Sequence, residues 1–254
     1  MSVAEKLTTI AENQQKVYDA GYNKGKAEGG DTEAAYQQGK EAERKAVWDA
    51  IQDHGNRADY SYAFHNTKQS KESFRPVYDI RPTTAAYMFD HSNRAKIDAI
   101  SMTDVEESCG IVFDFSNCTD FNYAFCCSCF NELNVIDLSN AAKTYQAFYN
   151  GYSDLDFIRI NRLIFSEKTV IQWGFFGSCS DLEYVGFEGT IANSIDIHWS
   201  PLVRASLESA MSALSGTTTG LTASFKKTAV EAAFTTDEWN ALVATKSNWT
   251  ITLA

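Results

Sequence analysis

The chain is short of positive charge: 22 Lys and Arg stand against 33 Asp and Glu, giving a net charge of −11. Nucleic acid and anionic membrane surfaces are recognised through a basic footprint, so neither is an expected partner. No apolar run approaches the ~20 residues that a helix needs to cross a bilayer, so no membrane insertion is expected. The opening MSVAEKLTTIAENQQKV lacks an apolar h-region and a small-residue cleavage site, so no standard export signal is expected. Histidine is scarce, and His54, His65, His91 and His198 stand apart from one another, none in HExxH or another ligand spacing. GxSxG, the P-loop and a strand-linked GxGxxG are also missing. The paired carboxylates Glu106-Glu107 and Asp154/Asp156 have no basic or apolar pattern around them to tune them. They read as a solvated rim, not as an acid–base pair. The expectation is a chain that is not an enzyme and carries no cofactor.

The six cysteines, Cys109, Cys118, Cys126, Cys127, Cys129 and Cys179, invite a zinc reading at Cys126-Cys127-x-Cys129. Structural zinc wants two separated ligand pairs at defined spacing, which this cluster does not supply. An even count without an export signal does not make a disulfide framework either. Reduced thiols packed as small apolar groups, and no metal, are the expectation.

What the chain does have is an internal echo. Phe113 to Phe125 reads FDFSNCTDFNYAF, and 23 residues later Ile136 to Phe148 reads IDLSNAAKTYQAF. Asp114 falls on Asp137, Ser116 on Ser139, Asn117 on Asn140, Ala124 on Ala147 and Phe125 on Phe148. A period of that length points to a stack of short repeats. From Tyr60 to about Ile197 a strand recurs as apolar-x-x-apolar-x-apolar, in the frames beginning at Ile97, Leu133, Leu155 and Leu182. An aromatic and small polar residues precede each strand, as in Phe125-Cys-Cys-Ser and Phe176-Gly-Ser-Cys. Ile111 to Phe115 reads as an extra strand, and Tyr78-Asp79-Ile80 as a degenerate first member.

Residues 1–55 differ. They hold no proline, and Val3, Leu7, Ile10, Gln14 and Val17 step by four and three, an a/d seam with one polar member. Gly21, Gly25 and Gly29 follow on one helical face, where another backbone can approach closely. Two readings stay open: an extended stalk that self-associates, a homotrimer being favoured, or a helical hairpin or flexible arm. The tail, 198–254, breaks the period. Ser200-Pro201 reads as a helix start with Pro at N1, and Leu207, Met211 and Leu214 as its apolar face. Leu221 to Phe225 reads as a strand, Thr235-Thr-Asp-Glu238 as a capping box, and Trp249 to Leu253 as a last strand. The fold class expected is α+β: a repeat solenoid over 56–197, with a helical coiled-coil-like arm before it and an α/β cap after it.

Strand alternation places the residues flanking each central apolar position outward. These are Ala99/Ser101, Val135/Asp137, Phe157/Arg159 and Tyr184/Gly186. Stacking would set Phe157 near Tyr184 with Arg159 and Asp137 beside them. Aromatics next to an arginine have the composition of an interface hot spot or a sugar-stacking platform. Packing of the same aromatics under the cap or against a second subunit is the plainer alternative.

The unit Phe176-x-x-Cys179-x-x-Leu182-x-x-Val185-x-Phe187 resembles the BspA-like leucine-rich repeat, which runs roughly A-F-x-x-C-x-x-L-x-x-I-x-L. Trp48-Asp-Ala-Ile-Gln-Asp-His-Gly-Asn-Arg57, Tyr78-Asp-Ile-Arg-Pro-Thr83 and Trp239 to Ile251 are similar to stretches of such proteins carried by bacteriophages and prophages of gut bacteria. The segment Gly29 to Gly39 departs from them. The resemblance implies a leucine-rich-repeat solenoid used for recognition. It implies a phage tail-associated location in the virion after synthesis in the host bacterial cytoplasm. The partners it implies are a host cell-surface protein or glycan and other phage tail proteins. A structural tail or baseplate component, or a cell-wall glycan-degrading enzyme, are the alternatives.

Overall fold

The computed structural model describes residues 59–63, 80–91, 100–109, 112–128, 130–150 and 159–254. The chain divides into two compact units, Met1–Arg57 and Ala58–Ala254, and all described residues belong to the second. The seam residues Val3, Leu7, Ile10, Gln14 and Val17 lie outside the described residues, as does Phe157.

The 23-residue echo is a repeat of local chemistry before it is a repeat of fold. Asp114 and Asp137 each accept from the backbone N–H two residues on, at Ser116 and Ser139, so each closes the same Asx turn. Beyond that turn the chain reaches Asp120 in one coil and Lys143 in the next, which pair as a parallel bridge. Phe125 and Phe148 then stack, with ring centroids 5.6 Å apart and planes 5° apart. The column continues through Phe89 on one side (5.2 Å from Phe125) and Phe176 on the other (5.6 Å from Phe148). All four rings are buried. Burying each from water contributes about 2–3 kcal/mol, and each ring pair about 0.5–1.5 kcal/mol beyond area.

One face of the stack is a parallel sheet: β1 (Ile100–Ser101), β2 (Phe130–Asp137), β3 (Arg159–Phe165) and β4 (Tyr184–Gly189), in sequence order. Met102 opens helix α1 (Met102–Cys109) and does not end a strand, because Ser101 turns its hydroxyl to accept from Asp104 N–H, a helix N-cap. Ser101 is buried there, where alternation had placed it outward. Leu155 and Ile158 of the third frame lie outside the described residues, but the register that follows them differs from the expected one. Leu133 pairs with Ile160 and Ile136 with Leu163, so the buried positions of β3 are Ile160, Leu163 and Phe165. Ile160-Asn-Arg-Leu-Ile-Phe165 carries the same apolar-x-x-apolar-x-apolar pattern five residues on. It wins because Phe165 meets Phe175 and Phe187, at 6.1 and 6.2 Å. The extra strand expected from Ile111 to Phe115 is a single bridge, Ile80 to Phe113, within the described residues.

The opposite side of the stack is built from turns. Tyr62, Tyr87, Tyr123 and Gln146 all have φ between 50 and 58°, and Gly174 has φ 72° at the same place in the next coil. Each non-glycine residue held there costs about 1–2 kcal/mol. The conformation is held by a ladder: these four N–H groups donate to Ala86, Asn122, Tyr145 and Trp173 carbonyls of the following coil. The N–H groups of Phe89, Phe125 and Phe148 do the same two residues on.

The tail continues the stacking instead of breaking it. β5 (Ile195–Ile197), β6 (Leu221–Phe225) and β7 (Trp249–Leu253) form a second parallel sheet. Ile195 pairs with Ala223 and Ala223 with Ile251, two steps of 28 residues. A boundary at 198 therefore falls between strands of one sheet. Helix α2 (Arg204–Ala213) takes the place of a further strand beside β4. Val185 N–H donates to Ser206 Oγ and Phe187 N–H to Ser209 Oγ, which satisfies an edge that would otherwise pair with another chain. The helix does not start at Ser200-Pro201, because Val203 N–H is tied to Glu183 O of the preceding coil. Leu207, Met211 and Leu214 are buried. Helix α3 (Lys227–Ala233) had no sequence signal, whereas α4 (Thr236–Ala244) carries the reciprocal Thr235–Glu238 capping box. Among the described residues no helix is long and apolar enough to cross a membrane.

Candidate functional site

The outward row of the first sheet is polar, and its side chains bond across strands. Glu132 on β2 accepts from Ser101 Oγ and Thr103 Oγ1, both at 3.2 Å, and from Asn161 Nδ2 of β3 at 2.6 Å. Asn161 Oδ1 in turn accepts from Arg159 Nε at 2.5 Å. The Arg159 guanidinium sits over the Tyr184 ring, 4.0 Å from its centroid, an attraction of about 0.5–1 kcal/mol at an exposed site. Arg159 and Tyr184 are direct cross-strand partners. Asp137 is not with them. It pairs with Ile164 near the far end of β3, and its carboxylate is spent on the Ser139 turn. Gly186 lies beside the row because a Cβ there would collide with the Asn161 carbonyl oxygen.

Two more pairs flank this row. Arg162 makes a two-pronged bond to Glu188, 2.7 Å for each oxygen, which raises the arginine pKa and lowers that of the carboxylate. Glu106 accepts from Asn134 Nδ2 and from Phe113 N–H, so its carboxylate holds β2 to the preceding coil. Glu107, its sequence neighbour, is exposed.

Cys118, Cys126, Cys127 and Cys179 are interior, while Cys129 and the Cys109 side chain lie outside the described residues. Cys118 and Cys179 have no solvent exposure, and Cys179 Sγ donates to Phe148 O at 2.9 Å. Burial pushes the Cys118 thiol up to about 12 and that of Cys179 above its ordinary value too. Cys126 and Cys127 lie with their sulfurs 3.6 Å apart, and that contact together with burial raises the Cys126 pKa. Among the described residues no group of three or more His, Cys, Asp or Glu converges as a metal site would.

The turn side carries a feature that the sequence reading missed. Tyr62, Tyr87 and Tyr123 stack nearly parallel, with centroids 4.7 and 4.6 Å apart and planes 5 and 15° apart. The line then shifts by one residue, since Gln146 takes the left-handed position and Tyr145 precedes it. Tyr145 meets Tyr123 at 5.3 Å, tilted 57°, and Trp173 meets Tyr145 at 5.6 Å, tilted 33°. Trp173 is 68 % exposed. Beyond it lies a cleft of about 420 Å³, walled by the last turn on one side and by β5 and β6 on the other. Its lining includes Trp173, Tyr149 and Trp199, the last 48 % exposed. The ladder rungs fall at unequal sequence intervals, which is why no period revealed them.

Comparison of the chain with known protein families, with curated proteins and with solved structures finds no match.

Proposed function

We propose that this is a non-catalytic recognition protein of the BspA-like leucine-rich-repeat solenoid type, acting as a phage tail-associated receptor-binding protein. Its partner is a host cell-surface protein or glycan. The observation that carries this reading is the inter-strand row Glu132–Asn161–Arg159–Tyr184. It holds outward side chains at fixed spacing on a sheet whose backbone is already paired. Rigid presentation of that kind limits the entropy lost when a partner binds. Glu132, Glu106 and Glu188 are engaged in coil-to-coil bonds, a structural use that leaves them poorly suited to proton transfer. The virion location and a trimer built through residues 1–55 belong to the same proposal and rest on the sequence resemblance and the a/d seam.

The test is attachment of the fluorescently labelled full chain to a panel of gut bacterial strains, beside the double variant Arg159→Ala/Tyr184→Ala. Attachment to at least one strain, weakened in the variant, is the expected result. Unchanged attachment by a folded variant would remove the row from the binding surface. Co-purification with tail proteins, without attachment to any strain, would favour a structural tail component instead.

A further inference from the structure

The aromatic ladder and the cleft at its end have different chemistry, although they run together. Within the ladder the rings of Tyr62, Tyr87 and Tyr123 cover one another, because stacked planes under 5 Å apart leave no room for a ligand between them. Those rings are structural. Trp173 ends the series tilted and largely exposed, so a ring face is left for something else.

The described tryptophans divide by burial, Trp239 and Trp249 lying inside. Trp249 is buried and its indole N–H donates to Ser215 O at 2.8 Å. Trp173 and Trp199 are exposed, and neither indole N–H has a protein acceptor among the described residues. Both rings line the same cleft, whose volume falls within the range of small-molecule sites. Leaving two tryptophans about half or more in water forgoes burial that a fold has no internal reason to give up.

The rest of the lining identifies the occupant. The same lining carries short neutral hydrogen-bonding groups, Ser194, Thr222 and Ser224 among them. Ser194 Oγ accepts from Thr222 N–H and Ser224 Oγ accepts from Thr252, so each hydroxyl still has its own proton to donate. The one charged lining residue is Asp196, whose Oδ1 is held by His198, leaving Oδ2 to accept. No cation lines the cleft among the described residues. Flat apolar faces together with neutral donors and one carboxylate match a pyranose ring, with its C–H face and equatorial hydroxyls. An anionic sugar, a phosphate or a nucleic acid would set its charge against the Asp196 carboxylate, with no lysine or arginine among the lining residues to offset it.

We propose that the cleft between Trp173 and Trp199 binds a neutral glycan. The two indoles stack on sugar rings, and Asp196, Ser194 and Ser224 take the hydroxyls. This extends recognition to the turn side and does not rest on the Arg159–Tyr184 row.

The test is intrinsic tryptophan fluorescence of the full chain titrated with hexaoses of glucose and of N-acetylglucosamine, with hyaluronan as the anionic counterpart. Trp173→Ala and Trp199→Ala remove exposed rings, so both variants are expected to keep the wild-type circular dichroism and melting temperature. A saturable signal with a neutral hexaose is expected, weakened about ten-fold or more in either alanine variant. Trp173→Phe should retain most of the affinity, and Gly216→Ala, far from any side-chain contact, should leave it unchanged. Absence of a signal with both hexaoses, equal affinity in the alanine variants, or tighter binding of hyaluronan would each overturn the proposal. Loss of cell attachment in the tryptophan variants without any hexaose binding would also overturn it, assigning the cleft to a protein ligand while leaving the recognition reading intact.

Discussion

The sheet side and the turn side of the stack are made by the same coils, yet they finish differently. On the sheet side, outward groups from β1 to β4 bond to one another, and the last strand edge is closed by two serines of α2. On the turn side the rings stack to Tyr123, drift by one residue at Tyr145 and end in the exposed Trp173 beside a cleft. A surface whose groups satisfy each other is stable and rigid. A surface whose series is left unfinished offers unpaired chemistry. The contrast separates what the coils need to stand from what they hold out to a partner.

The largest way to break the contrast is to remove what both sides share. Phe148 touches Phe125, Phe175 and Phe176 in the central column. Phe148→Ala is expected to cost about 3–5 kcal/mol in urea denaturation and to disturb both faces together. Gly186→Ala should act on the sheet side alone. Its Cβ meets the Asn161 carbonyl, so β3 and β4 must part, at a cost near the upper end of ~1–3 kcal/mol. Gly216→Ala, where a Cβ meets nothing, is its control and should be neutral or stabilise by about 0.4–1 kcal/mol. Ser206→Ala leaves the buried Val185 N–H without its acceptor and should cost about 1–2 kcal/mol in the same assay.

The mildest perturbation is alkali, and it bears more on the turn side. Burial raises the pKa of Tyr87 and Tyr123 and pushes Cys118 up to about 12 from 9.0. The unfolded chain then releases these protons first as pH rises. Their contribution to stability is complete below pH 9.0 and is lost progressively toward 12. The urea midpoint should be flat from pH 7 to 9 and fall beyond it, with Cys118→Ala showing a shallower fall.

Parts of this were legible in the sequence because the signal was local. Thr235 and Glu238 announce a capping box and Leu221 to Phe225 a strand, and each is what forms, while the aligned Asp114 and Asp137 turn out to close identical turns where the first was read within a strand. Where two local patterns competed, tertiary contact decided. The frames at Leu155 and Ile160 read alike until Phe165 finds Phe175 and Phe187. Ser200-Pro201 is a sound helix start by composition, but the Val203 tie to Glu183 delays the helix to Arg204. Arg159 and Tyr184 were named as outward residues and do meet, whereas Asp137 was placed with them only because the third frame was set five residues early. The tyrosine ladder and the Trp173–Trp199 cleft were not legible, since unequal coil lengths erase their period and the cleft joins residues from four separate segments.

Amide hydrogen exchange at the turns tests the stacked-coil account most directly. The N–H groups of Tyr87, Phe89, Tyr123, Phe125 and Phe148 lie outside helices and strands, and each donates to the next coil. The account predicts protection at these five sites comparable to that of Leu133 and Ile160 in the sheet. Exchange at the rate of open loops, with only the sheet protected, would contradict it.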